Sequence, residues 1–213
     1  MTDLTLYLLR HGESVANVGR VFAARKVNPP LSDAGIQQAT MQAESLKSIE
    51  FPAMYTSPLL RARQTAEIVS RRCELEPIFS DALYEVDVGI LDGESQNDPQ
   101  NWKAYEDVIE KWEQGLSSVG FPGGETLNDV GDRFGEFLDG LESKQQKPIL
   151  VVGHCLLFMA LFWLFCENHE PKFEDGHMGR GHLSIISGAG NRFRILRFNS
   201  TSVELRCIQN LEV

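Results

Sequence analysis

A chain of 213 residues is long enough for one sizeable α/β unit with a large buried core. Its formal net charge of −10 argues against nucleic acid or an anionic membrane as partner, because the long-range field repels both. A small anionic substrate is not excluded, since clustered arginines outweigh a diffuse opposing charge at short range.

The first element is the most informative. Leu4-Thr5-Leu6-Tyr7-Leu8-Leu9 is an apolar, β-rich run that stops at Arg10-His11-Gly12. It reads as a strand that delivers a cation and an imidazole to its carboxyl end, where ligands of open α/β sheets bind. No basic stretch followed by an apolar one precedes it, so no secretory signal is expected. Cys73, Cys155, Cys166 and Cys207 are widely spaced and contain no CxxC pair. Reduced thiols in a cytoplasmic protein are expected, and no zinc site.

Ser32 is a plausible N-cap for a helix whose apolar face is Ile36, Ala39, Ala43 and Leu46. Met54-Tyr55-Thr56 leads into Ser57-Pro58, read as a cap followed by proline at the first helical position. That helix carries Leu59, Ala62, Ala66 and Val69 on one face and Arg61 in its first turn, where free N–H groups and the helix dipole favour an anion. The stretch 87–124 breaks the alternation of strands and helices. It is polar and holds one helix with Trp102, Tyr105, Ile109 and Trp112 in register, so it is expected to be a cap packed over the site. Thr126 and Asp129 resemble a capping box opening a helix with Leu127, Val130, Phe134, Phe137, Leu138 and Leu141 on its face.

Ile149–Val152 is a second strand ending at a histidine, in Gly153-His154. The apolar run from Ile149 to Cys166 approaches membrane-spanning length, but Gly153-His154 divides it into a strand and a buried helix, so no membrane span is expected. Leu183–Ser187 and Phe193–Phe198 read as two more strands. The pattern predicts an α/β fold of three αβα layers around a mostly parallel sheet, one domain over 1–213 with 87–124 as an insertion.

Three strand ends thus present Arg10, His11, Arg61 and His154, a set suited to a phosphoryl group. A phosphomonoester repels nucleophiles, so its cleavage needs cations on the nonbridging oxygens, a neutral nucleophile and an acid for the leaving oxygen. Arginine matches phosphate oxygens with a planar fork. Neighbouring guanidiniums lower the pKa of a histidine and keep it nucleophilic. Glu85 and Asp87, in Leu83-Tyr84-Glu85-Val86-Asp87-Val88-Gly89, are the candidate acids, with Glu85 preferred.

These residues carry a resemblance. Arg10-His11-Gly12-Glu13-Ser14 with Asn17, and Ser57-Pro58-Leu59-Leu60-Arg61-Ala62-Arg63-Gln64-Thr65-Ala66, resemble the phosphoglycerate-mutase-like branch of the histidine phosphatase superfamily. Leu83-Tyr84-Glu85 with Gly89 and Asp92-Gly93 is similar to its acid motif, and Pro122-Gly123-Gly124-Glu125-Thr126 and Val151-Val152-Gly153-His154 to two others, all in order. The resemblance implies a phosphoglycerate-mutase-like fold and a cofactor-free, metal-independent phosphomonoesterase of the histidine acid phosphatase type. It assigns the nucleophile to His11, phosphate clamping to Arg10, Arg61 and His154, proton donation to Glu85 and a place near the phosphate to Asn17. The partner would be a small phosphorylated substrate. Leu91, Gly153 and Cys155 depart from the pattern, where tryptophan, serine or threonine, and glycine are frequent.

The alternative is phosphoglycerate mutase-type transfer, or, in another class, an inactive phosphoester-binding module. A mutase needs basic residues for a second anionic group. The 87–124 stretch has only Lys103 and Lys111 against Asp87, Asp92, Glu94, Asp98, Glu106, Asp107, Glu110 and Glu113, which favours hydrolysis. In the 174–182 loop, Asp175, His177 and His182 fit no zinc spacing well. A plain loop is expected there, with Arg180 or His182 as possible contributors to substrate choice. Cys155 reads as a small core residue and Trp102–Trp112 as cap packing.

Overall fold

The computed structural model describes residues 4–142 and 148–201. Cys207 lies outside the described residues; Cys73, Cys155 and Cys166 are free thiols. The elements run β1 (Leu4–Arg10), α1 (Val15–Val18), α2 (Asp33–Leu46), β2 (Met54–Thr56), α3 (Leu60–Cys73) and β3 (Pro77–Phe79). There follow α4 (Pro99–Glu113), α5 (Leu127–Glu142), β4 (Ile149–Gly153), α6 (Cys155–Phe165), β5 (Leu183–Ala189) and β6 (Arg192–Ser200). The strand order is β3-β2-β4-β1-β5-β6. β3, β2, β4 and β1 are mutually parallel, and β5 runs against both β1 and β6. Only β5 is reversed, so the sheet is mostly parallel, as expected.

The side-chain alternation of strands builds the layers. Leu6 and Leu8 of β1, with Ile149 and Val151 of β4, face the core shared with α4, α5 and α6. Tyr7 and Leu9, with Leu150 and Val152, face the core shared with α2 and α3. Both faces of the central strands are therefore apolar, which explains their nearly unbroken hydrophobic runs. α6, read as a buried helix, has eight buried residues, from Leu156 to Phe165. Among the described residues no helix is long and apolar enough to cross a membrane.

Two helix starts differ from expectation. α3 begins at Leu60, not at Pro58, and its N-cap Leu59 makes no side-chain cap bond. Ser57 Oγ accepts from the Leu59 N–H at 3.3 Å, so the Ser-Pro pair shapes the turn before the helix. On α2, Ala39, Ala43 and Leu46 are buried but Ile36 is 45% exposed. The first turn of α2 is instead anchored through Gly35, where an added Cβ would stand 2.0 Å from the Glu13 carbonyl oxygen. A Cβ on Gly12 would likewise meet the Gly35 oxygen at 2.3 Å. This paired approach of two glycines lets α2 press directly against the end of β1. The short α1 and the exposed edge strand β3 were not apparent in the sequence pattern. The Thr126–Asp129 capping box forms, with Thr126 Oγ1 donating to Asp129 Oδ2 at 2.7 Å and accepting from the Asp129 N–H at 3.1 Å.

Candidate active site

The carboxyl end of β1 is clamped on both sides. The His11 N–H donates to the Gly153 carbonyl at the end of β4, and the Arg10 N–H to the His182 carbonyl, both at 3.0 Å. This fixes Arg10 and His11 between two neighbouring segments of backbone. The Gly12 N–H donates to Thr65 Oγ1 at 3.2 Å, and Thr65 Oγ1 donates to the Arg61 carbonyl at 2.9 Å. One hydroxyl thus ties the turn after His11 to the first turns of α3.

Arg10, His11, Arg61 and His154 meet, and all four are buried. His11 Nδ1 is 2.6 Å from the Gly12 carbonyl oxygen. A carbonyl only accepts, so Nδ1 carries the proton and Nε2 keeps its lone pair. That lone pair accepts from Arg61 Nε at 3.2 Å. The His154 ring lies edge-on to His11, with centroids 5.1 Å apart. Burial, then Arg61 and Arg10, hold the His11 pKa well below its ordinary 6.5, against the opposing bond to Gly12. Burial, then Arg61 and His11, do the same to His154. Both imidazoles are therefore neutral near pH 7. Burial also lowers Arg61 to about 10, with Glu85 and Asp92 opposing, so it stays a cation.

The polar atoms here are incompletely partnered. Arg10 Nε, Arg61 Nη1, and both ring nitrogens of His154 are buried with no hydrogen-bond partner. Gln42 Oε1 is the one other such side-chain atom among the described residues. Buried unpaired polar atoms each cost about 1–3 kcal/mol, and four of these five belong to the strand-end residues Arg10, Arg61 and His154, a concentration expected of a site built for a polar guest.

Above these residues opens a cavity of about 190 Å³, lined by Arg10, Arg61, Asn17 and Glu85 among others. The Glu85 carboxylate accepts from the Leu157 N–H at 2.9 Å, the Leu156 N–H at 3.3 Å and the Val86 N–H at 3.0 Å. The first turn of α6 therefore orients it. Asp87 is turned elsewhere. It accepts from the Gly89 N–H at 2.9 Å and borders a separate open depression with Arg25 and Lys26. Asn17 lines the cavity while its Oδ1 accepts from the N–H and hydroxyl of Ser14, both at 3.0 Å.

Several contributors were missed. Asp92, 4% exposed, takes four successive N–H groups: Ala24 at 3.0 Å and Val27 at 3.3 Å on Oδ1, Arg25 at 2.8 Å and Lys26 at 2.5 Å on Oδ2. The loop so formed presents the Ala23 and Ala24 carbonyls, which accept from Arg61 Nη2 at 2.9 and 3.4 Å. The motif Asp92-Gly93 was visible, but a pairing with residues 65 to 68 positions earlier leaves no local signal. Glu125 similarly binds Arg25, Arg133 and the Asp87 N–H, tying the 122–126 turn to the acid segment.

In the 174–182 loop, Arg180 lines the cavity and pairs with Glu13 at 3.2 Å. His182 turns away, its Nδ1 2.8 Å from Asn199 Oδ1. His177, given no role beforehand except in the metal reading, lines the cavity with Nε2 3.3 Å from Arg10 Nη1. Arg10 also donates to the Met178 carbonyl. Cys155 also borders the cavity, and burial raises its thiol pKa. The departure at Gly153 has a packing cause, since a Cβ there would stand 2.7 Å from the Phe158 ring. Trp112 is fully buried, whereas Trp102 is 37% exposed and faces the cavity, so the stripe on α4 splits between core and site.

The chain is similar to known proteins in sequence and fold. The family model of the histidine phosphatase superfamily (branch 1) matches residues 6–201. Phosphoserine phosphatase 1 of Hydrogenobacter thermophilus is 29% identical over 92% of this chain and 92% of its own. An uncharacterized phosphatase PhoE of Bacillus subtilis is 30% identical over 92% and 94%. The crystal structure of phosphoglycerate mutase from Bacillus anthracis shares the fold, with a TM-score of 0.80, 21% identity and 96% of each chain covered. With the family model matched from the first strand to the end of the last, the chain belongs to branch 1 of the histidine phosphatase superfamily.

Proposed function

We propose that the chain is a phosphomonoester hydrolase of the histidine acid phosphatase type, working through a phosphohistidine on His11. The observation that carries this reading is that buried polar atoms of Arg10, Arg61 and His154 lack partners while Arg61 Nε donates to Nε2 of the neutral His11. A tetrahedral dianion could accept from the guanidinium N–H groups and from the one His154 nitrogen that carries a proton. His11 Nε2 forms the bond to phosphorus as the ester P–O bond breaks. Glu85 gives its proton to the leaving oxygen. Water then attacks the phosphohistidine, the N–P bond breaks, phosphate leaves, and the proton of that water returns to Glu85. Arg10 and Arg61 hold the nonbridging oxygens, supplying the positive charge that Mg²⁺ provides in other phosphoryl-transfer enzymes. In this reading 87–124 is a cap inserted into a single domain over 1–213. Neither Lys103 nor Lys111 borders the cavity, which weighs against a bisphosphate-dependent mutase.

The division of labour is testable with p-nitrophenyl phosphate, whose phenolate leaves without needing a proton. Glu85→Gln should give a burst of nitrophenol and then slow turnover, with phosphate trapped on His11. His11→Ala should give no burst, and EDTA should leave the wild-type rate unchanged without any bisphosphate added. Wild-type rates in His11→Ala, or activity lost in EDTA and restored by a divalent ion, would overturn the reading.

A further inference from the structure

The cavity also constrains the alcohol that leaves, an inference that rests on the hydrolase reading. Away from Arg10 and Arg61 one side of its wall is apolar, with Phe22, Val88, Trp102, Tyr105, Leu156 and Met159 along it, while Ser14, Asn17 and Gln96 line the rest with neutral polar groups. Three of these are rings packed against one another. The Phe22 and Trp102 centroids are 6.1 Å apart with planes inclined at 21°, Phe22 and Tyr105 are 5.5 Å apart, and Trp102 and Tyr105 5.4 Å. The wall is held firmly. The Phe22 N–H donates to the Glu94 carbonyl and the Gly93 N–H to the Phe22 carbonyl, each at 2.9 Å, so the loop carrying Phe22 is strapped to the segment that leads into α4.

The charges tell the same story. Only Arg10, Arg61, Arg180 and His177 bring basic groups to this lining. Arg10 and Arg61 belong to the phosphoryl end. Arg180 is paired with Glu13, and His177 accepts from Arg10 through a lone pair that only its neutral form has. A second phosphate or a carboxylate on the leaving group would therefore meet rings and the neutral Ser14, Asn17 and Gln96, and the lining cations are already engaged at the phosphoryl end or with Glu13.

We propose that the preferred substrates are phosphate esters of alcohols bearing an aromatic ring, seated against Phe22, Trp102 and Tyr105, with no second anionic group. Aromatic rings bring large apolar area and favour packing against other rings. The discriminating comparison is 2-phenylethyl phosphate against ethyl phosphate and ethylene glycol bisphosphate, all of which expel an alkoxide and so make a similar demand on Glu85. Desolvating a phenyl group predicts a preference in kcat/KM of roughly tenfold to a hundredfold for the phenylethyl ester over the ethyl ester. Trp102→Ala should reduce that ratio by about fivefold or more, since one of the three rings is lost. Binding gives an arm that does not depend on turnover. His11→Ala protein should bind 2-phenylethylphosphonate more tightly than ethylphosphonate, and calorimetry reads this directly. Equal affinities for the two phosphonates, a bisphosphate preferred over the phenylethyl ester, or a ratio unmoved by Trp102→Ala would overturn the proposal while leaving His11 chemistry intact. Unimpaired turnover by His11→Ala would instead strike the hydrolase reading, and the phosphonate comparison would still decide the ring subsite.

Discussion

The two ends of the cavity are built by different means. At the phosphoryl end three of the four side chains are held by backbone: Gly12 orients His11, the Met178 carbonyl receives Arg10, and the Ala23 and Ala24 carbonyls receive Arg61. At the leaving-group end the wall consists of side chains held by one another, Phe22 against Trp102 and Tyr105, and Tyr105 against Phe121. Backbone bonds fix direction to a fraction of an ångström, which transition-state stabilisation requires. Ring packing fixes shape and polarity but tolerates exchange of one apolar residue for another. The first end can therefore serve one reaction, while the second can be redrawn for a different alcohol without disturbing it.

This contrast predicts that substitutions at the phosphoryl end depress all substrates alike. Arg61→Ala should cause a large loss, roughly 10²-fold or more in kcat, by removing one preorganised electrostatic donor. Arg61→Lys should not restore it, because an ammonium cannot both donate to His11 Nε2 and reach the 23–24 carbonyls. Aryl and alkyl esters should suffer equally in steady-state assays. Near-wild-type rates in Arg61→Ala would reduce Arg61 to a structural residue.

A smaller effect is expected one step further from the chemistry. Asp92 touches none of Arg10, His11 and His154 through the hydrogen bonds described, but its carboxylate gathers the 24–27 N–H groups that set the carbonyls bound to Arg61. Asp92→Asn replaces one accepting oxygen by a donor that faces other donors. A loss of about tenfold in kcat/KM should follow, the equivalent of one charge-assisted hydrogen bond. Inhibition by vanadate, a phosphoryl mimic, should weaken in parallel. If catalysis fell while vanadate bound as before, Asp92 would be acting on something other than the position of Arg61.

The same contrast governs what could be read from the sequence. Arg10, His11, Arg61 and His154 were legible because strand ends and a helix first turn are local events with local signals. Glu85 was legible through its motif, although its anchoring by Leu156 and Leu157 joins residues 71 and 72 positions apart. Phe22 was not legible. It lies between elements, and only the long-range strap to Glu94 brings it against α4. Ile36 was misjudged because the helical period was correct but the start of α2 is fixed by a glycine contact with the Glu13 backbone. His177 and the division of roles between Arg180 and His182 depend on how one loop lies across the end of β1, and no periodicity encodes that.

The smallest effect separates the two ends by stability. His11 and His154 are held neutral chiefly by burial, with folded-state pKa values below the 6.5 of an unfolded histidine. Below about pH 6.5 the unfolded chain therefore binds protons that the folded chain refuses, so stability present above that pH is lost as pH falls. Each such histidine adds up to one proton to the slope, about 1.4 kcal/mol per pH unit. Denaturation followed between about pH 7.5 and 5.5, above the range where most carboxylates titrate, should show a slope that shrinks by up to one proton in His154→Gln. Trp102→Ala carries no titrating group and should keep the wild-type slope, even if its midpoint shifts. An unchanged slope in His154→Gln would mean that the folded protein accepts a proton on this imidazole as readily as the unfolded chain does. Two neutral histidines between two arginines would then no longer describe the phosphoryl end.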